Sequence, residues 1–366
     1  MNKKLISLLL SAALAVSMLT VPAFAAEGGE ADAALDETNE VVVTLGDTVT
    51  ASTVEDTDKA AADKTAADKT ETADSAPAAS TEKKQITYVA LGDSIVAGVG
   101  LADVKYAKDS TTLYSVDMSP NFKGYSPDCY VGKVATMMGL DRDHAINYGM
   151  PALMSNNLLE LVQTGATHSD NADYTLPGLR EELQTADLIT VQIGSNDVLM
   201  PLMGAVAAAT GGKAFKLLLP MLEGNFREIN ADSLNTLREG LQALDLTAEE
   251  RKATLRLLDS GIAELCSQSR TSTLANIEAT VQELQALNPN AQIILLGYYN
   301  PVPLMPTLIN PFVDHFRTLN RALQQLADRY GVTYVSTTCT AVANDAHPTA
   351  CGHKYLARQI LKALEK

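Results

Sequence analysis

Tryptophan is absent, histidine and cysteine are scarce at 5 and 4 residues, and 28 basic side chains face 44 acidic ones in a chain of 366, for a formal net charge of −16. The cationic deficit excludes a nucleic-acid binder, which must neutralise phosphates with clustered Lys and Arg. Without Trp there is no indole platform of the sort sugar binders favour, which speaks against a polysaccharide substrate. The histidines and cysteines are too dispersed for a ligand cluster, so no metal is expected. No glycine-rich phosphate loop with its lysine occurs, and no cofactor is expected. Long apolar runs are missing too: Leu5 to about Leu19 falls short of the roughly 20 residues that span a bilayer.

What is there begins with that short run. Lys3 and Lys4 precede it and Val21-Pro22-Ala23-Phe24-Ala25 follows, so charge, apolar stretch and a small-x-small site read as a secretory signal, residues 1–25, cleaved after Ala25. The expectation is a secreted, extracellular product without a stable membrane anchor. Residues 26–84 are rich in Ala, Thr, Asp and Glu and hold 15 acidic and 5 basic residues, a net charge of −10. They have few large apolar groups to offset the entropy of ordering, and are expected to form an acidic disordered spacer. Residues 85–366 carry a net charge of −8 and are long enough for one large core. A monomer is expected.

In this domain short apolar runs recur at Ile86 to Leu91, Ala145 to Tyr148, Leu188 to Ile193, Ile293 to Leu296 and Val332 to Val335. Helix-like periodicity separates them at Tyr130 to Met138, Leu153 to Val162, Asn276 to Leu287 and Phe316 to Tyr330. Apolar strands without strict alternation, separated by helices, indicate a parallel sheet covered on both faces, an α/β sandwich. About 200–270 is expected to be a helical insertion, with a capping box at Thr247-Ala248-Glu249-Glu250; it either packs as extra helices or forms a cap beside the site. In open parallel sheets ligands bind outside the C-terminal strand ends.

Those ends carry the chemistry. The first run leads into Gly92-Asp93-Ser94-Ile95, the second into Asn147-Tyr148-Gly149, the third into Gly194-Ser195-Asn196-Asp197, and Asp345-Ala346-His347-Pro348 stands near the C-terminus. A nucleophilic Ser needs a base, the base needs an orienting partner, and a developing oxyanion needs donors. Alone, Gly-Asp-Ser is a weak signal: Leu45-Gly46-Asp47-Thr48-Val49 imitates it in the acidic segment without the surroundings. Asp93 and Asp197 read more simply as caps of loops and helices than as proton carriers. Gly297-Tyr298-Tyr299-Asn300-Pro301-Val302-Pro303, just past a strand, either lines the cleft or anchors a loop.

Together these ordered blocks resemble the GDSL, or SGNH, hydrolase family over about residues 86–366. The resemblance implies a three-layer α/β/α sandwich with a flavodoxin-like parallel sheet and a serine esterase or lipase. It implies Ser94 as nucleophile, His347 as general base, and an oxyanion hole made by the N–H groups of Ser94 and Gly149 with the Asn196 amide. Family members commonly place the orienting Asp three residues before the His; here Asn344 stands there and Asp345 lies two before, so Asp345 is the expected partner. The substrate implied is an acyl or acetyl ester of a lipid or carbohydrate. The competing reading is a non-catalytic cell-surface binding module on the same fold. An imidazole base must be neutral to act, so activity is expected to fall below about pH 6. Cys339 and Cys351 bracket His347, and a bridge between them would hold the base in place; the alternative is thiols.

Overall fold

The computed structural model describes residues 85–101, 104, 125–169, 172–214, 243–300, 309–342 and 347–365. The expected signal, the acidic segment 26–84, the middle of the insertion, and both Asn344 and Asp345 lie outside them.

Five strands make the main sheet: β1 (Tyr88–Gly92), β2 (Ala145–Gly149), β5 (Leu188–Gln192), β6 (Gln292–Leu296) and β7 (Thr333–Val335), in the order β2-β1-β5-β6-β7, all parallel. Counted within the sheet, this is the flavodoxin-like order 2-1-3-4-5, with its topological switch point between β1 and β5. The strands form because each feeds two apolar layers. Val89 and Leu91, Ile189 and Val191, and Ile293 and Leu295 enter one core cluster, while Tyr88 and Ala90, Leu188, and Ile294 and Leu296 enter the other. A residue pattern of that kind has no polar face to turn to water, which explains why strict alternation is missing.

Helices α1 (Ser94–Ala97), α2 (Tyr130–Met138), α3 (Ser155–Thr164), α4 (Leu179–Thr185) and α5 (Ser195–Ala209) follow in chain order, with a small antiparallel hairpin, β3 (Ala166–Ser169) and β4 (Ala172–Thr175), between α3 and α4. Leu158, Leu161, Val198 and Leu202 from α3 and α5 join the first cluster; Tyr130, Val131 and Val134 from α2 join the second. The expected capping box opens α6 (Ala248–Arg256): Glu250 N–H donates to Thr247 Oγ1 at 3.2 Å, and Thr247 N–H donates to Glu250 Oε2 at 2.8 Å. A π-helical turn at Leu257–Gly261 then carries the chain straight into α7 (Ile262–Leu287). The helix expected at Asn276 to Leu287 is thus the second half of a longer one. The extra first half packs Ile262 and Cys266 into the same cluster as Ile277 and Val281. Here the insertion, among its described residues, continues the core rather than standing apart from it.

The last helices are α8 (Ile309–Tyr330) and α9 (Ala350–Leu364). Leu319, Leu323 and Leu326 of α8 complete the first cluster, and Leu356, Ala357 and Ile360 of α9 complete the second. Each fully buried aliphatic side chain contributes about 1.5–3 kcal/mol, so both faces of the sheet are held independently of any bound group. Asp197 ties the upper rim together: Ser155 N–H donates to its Oδ2 at 2.9 Å, the Ser155 hydroxyl donates to Oδ1, and Ser269 Oγ donates to its backbone carbonyl at 2.7 Å. Burial pushes its carboxyl above the usual range, and these donors offset part of that cost.

Candidate active site

Ser94 opens α1 directly beyond β1, and Asn196 sits in the first turn of α5 directly beyond β5, so the two flank the switch point. The short helix α1 forms because Asp93 accepts the Ile95 N–H on Oδ1 at 3.0 Å, while Gly98, in a left-handed conformation (φ 80°), closes its other end. Asn147 fastens this segment to β2 by donating from Nδ2 to the Val96 carbonyl at 2.9 Å.

His347 arrives from the far end of the chain. An isolated bridge between Val342 and Pro348 and the Thr349 N–H donated to the Ala341 carbonyl at 3.1 Å pin its loop on both sides. Thr349 caps α9, and Gly352 in the first turn lets that helix approach closely, since a Cβ there would stand 2.1 Å from the Ala341 oxygen. The outcome is a contact of 3.0 Å between His347 Nε2 and Ser94 Oγ, with the two residues only 2% and 6% exposed. In a nucleophile and base pair the hydroxyl donates to a neutral ring nitrogen.

Asn196 is also buried and borders the same pocket. Its Nδ2 donates one hydrogen to the Leu153 carbonyl at 2.9 Å, which fixes which way the amide points. An amide nitrogen carries two hydrogens, so one remains beyond the bond to Leu153.

Gly149 is placed differently from its expected role. Its N–H donates to Asn147 Oδ1 at 2.8 Å instead of standing open to the cleft, and it does not border the pocket. What the position demands is the absence of a side chain: a Cβ would lie 2.2 Å from the Ala97 nitrogen and 2.6 Å from the Val96 carbonyl carbon. Gly149 therefore lets β2 press against the backbone that carries Ser94. The chain then turns through Ala152, whose φ of 60° is the only positive value among the described non-glycine residues. That left-handed conformation costs an L-residue roughly 1–2 kcal/mol and precedes the carbonyl that orients Asn196. Neither Ala152 nor Leu153 carries a sequence signal of this role.

The pocket is a cavity of about 20 Å³ with a polar side of Ser94, Gln192, Ser195, Asn196 and His347. Its apolar side consists of Ile95, Leu199, Tyr298, Tyr299 and Phe316. Both expectations for the Gly297 to Pro303 block hold at Tyr298: it lines the pocket, yet its hydroxyl donates to the Ile193 carbonyl and its ring stacks on Phe316 with centroids 5.4 Å apart. Among the described residues no group of His, Cys, Asp and Glu has the arrangement of a metal site, and no helix is long and apolar enough to cross a membrane. All four cysteines carry thiols, Cys129 and Cys266 buried and Cys339 and Cys351 exposed, so Cys339 and Cys351 are not bridged in this structure.

Two further histidines are buried away from the serine. His353 Nδ1 accepts the Tyr130 N–H at 3.1 Å and burial pushes its pKa down to about 3; His315 Nδ1 meets the Cys266 carbonyl at 2.9 Å and burial pushes its pKa down to about 4. Both folded values lie below the unfolded one near 6.5, so the stability from keeping these rings neutral is complete above that pH and is lost as pH falls towards 4 and 3. Asp93 acts in the opposite sense, since burial lifts its carboxyl to about 7. The expected contribution of the two rings is a loss of stability below about pH 6.5, offset in part by Asp93 and Asp197, whose carboxyls burial raises. His315→Leu, which cannot titrate, makes the decline shallower; equal slopes in scanning calorimetry would refute the assignment.

The family model for the GDSL-like lipase/acylhydrolase family matches residues 90–355. No curated protein sequence matches the chain. Among solved structures, it is similar to the lipase Lip_vut3 from a goat rumen metagenome, at 15% identity and a TM-score of 0.45, covering 76% of this chain and 97% of that one. It is similar to an extracellular lipase from Streptomyces rimosus, at 15% identity and a TM-score of 0.43, covering 76% and 99%. A third likeness is to a catalytic mutant of the acetylxylan esterase Axe2 from Geobacillus stearothermophilus, at 15% identity and a TM-score of 0.39, covering 77% and 94%. With a model match over most of its length, the chain belongs to the GDSL-like lipase/acylhydrolase family.

Proposed function

We propose that the protein is an exported serine esterase that cleaves carboxylic esters of lipids or carbohydrates in two steps. Ser94 Oγ attacks the ester carbonyl while His347 Nε2 takes its proton, the alcohol leaves with that proton, and water releases the acyl group from Ser94 by the same route. The Ser94 N–H and the second Asn196 amide hydrogen hold the oxyanion; Gly149 joins them only by exchanging Asn147 Oδ1 for the substrate oxygen. Asp345 is assigned to orient His347, on sequence position alone. The observation that carries the reading is the 3.0 Å contact between Ser94 Oγ and His347 Nε2 beside an oriented Asn196 amide. A fluorophosphonate probe tests it: the protein should label at Ser94, and failure to label would leave the binding-module reading standing.

The pocket also supports a preference for short acyl groups. The apolar wall of Leu199, Tyr298 and Phe316 stands beside Ser94 and Asn196 in the same pocket, which suits an acetyl-sized group better than a long chain. Across esters with about two to sixteen acyl carbons, kcat/KM should be highest at the short end, and Leu199→Ala should extend the range by a few carbons. A best substrate of sixteen carbons would overturn this.

A further inference from the structure

Gln192 closes β5 beside the segment that carries the serine. Its carbonyl accepts the Asp93 N–H at 3.4 Å, and a Cβ on Gly92 would stand 2.0 Å from the same oxygen, so the two backbones lie in close contact. The residue is 2% exposed and borders the pocket with Ser94, Asn196 and His347. Neither its Nε2 nor its Oε1 meets a hydrogen-bond partner among the described residues. The other buried side-chain amides among them, Asn147, Asn157, Asn196 and Asn288, each donate to at least one partner. A buried amide without partners is destabilising, so one kept at the edge of a reactive pocket points to a partner that comes with the substrate.

The pleat of β5 indicates which part of the substrate that is. Ile189 and Val191 enter the first core cluster and Leu188 the second, and Thr190 Oγ1 meets the hydroxyl of Tyr88, also of the second, at 2.9 Å. Alternation therefore carries the Gln192 side chain to the second face, the side of Ile95 and Tyr299. Leu199, Tyr298 and Phe316 belong to the first. The pocket thus straddles the end of the sheet, with an apolar wall on one side and an amide on the other. The loop of His347 leads into α9, which packs on the amide's side. In the serine mechanism His347 passes its proton to the departing alcohol, so the alcohol takes this side and the acyl group takes the apolar wall.

We propose that Gln192 selects the alcohol part of the substrate: its amide pairs with a free hydroxyl on the carbon next to the ester-bearing one, so partly acylated polyols are preferred to esters of simple alcohols. An amide offers an acceptor and two hydrogens, and a hydroxyl can both donate to the one and accept from the other; an alkyl group can do neither. This deepens the serine-esterase reading and rests on it.

Ethylene glycol monoacetate and propyl acetate share an acyl group and differ by a hydroxyl in place of a methyl. After division by their rates with hydroxide, kcat/KM of the wild type should favour the glycol ester by about tenfold or more. In Gln192→Met, which keeps an unbranched side chain without the amide, the ratio should fall to within about twofold of unity; Gln192→Leu takes its place should that variant fold poorly. A wild-type ratio near unity, or a preference undiminished in a folded variant, would overturn the proposal. Fluorophosphonate separates this failure from that of the parent reading. A protein that labels and cleaves both esters without preference refutes the role of Gln192 alone, whereas one that neither labels nor cleaves either ester refutes both.

Discussion

Ser94→Ala and His347→Ala should each lower ester turnover by about 10⁴-fold or more while leaving the melting temperature within a few degrees of the wild type. The size follows from the two residues acting as one unit. Without the hydroxyl no acyl bond can form, and without the imidazole the hydroxyl stays protonated and is a poor nucleophile. For the same reason the double variant should be no worse than either single one, since the second loss removes a partner that no longer has a task. The fold should tolerate Ser94→Ala because alanine suits the first position of α1 and the cap comes from Asp93, not from Ser94. A double variant with turnover a further 10³-fold or more below the singles would show that the side chains act separately, contrary to their 3.0 Å contact. Steady-state rates with a chromogenic acetyl ester measure all three.

The second large effect belongs to Asn196. Asn196→Ala should reduce kcat by about 10²- to 10³-fold with KM changed far less, the signature of a donor that works on the transition state and barely on the ground state. Asn196→Asp should be at least as damaging, because it sets a negative charge against the oxyanion and turns a donor into an acceptor. Both variants leave the Leu153 carbonyl without its donor, so a stability loss of about 1–3 kcal/mol should accompany the kinetic one. If instead KM rises and kcat is kept, Asn196 holds the substrate in place and the oxyanion is stabilised elsewhere.

Much of this architecture was legible in the residues. Runs such as Ile293 to Leu296 are apolar at successive positions because both sheet faces are covered, and α2 spans Tyr130–Met138 because Cys129 and Gly139 mark its ends. Ser94, Asn196 and His347 could be assembled because each stands just beyond a strand or in a block with its own spacing. Gly149 shows where such reading stops. A glycine at a strand end is equally suited to a donor N–H and to a close backbone contact, and only the 2.2 Å between its missing Cβ and the Ala97 nitrogen separates the two. Ala152 shows a second limit, since alanine gives no hint of a left-handed backbone. The hairpin of β3 and β4 escaped as well, being 4 residues per strand and half exposed, with too short a run to display any period.

Ser94 and His347 stand 253 positions apart, one just beyond the first strand and the other held by the docking of the final helix. On the proposed serine mechanism, a partly synthesised chain would own a serine but no means of activating it, and would remain latent until its last segment has been made and has seated itself. The same arrangement makes hydrolysis a gauge of integrity: loosening α9 alone should silence the protein well before the sheet gives way, so loss of activity on mild heating or in low denaturant should precede loss of ellipticity.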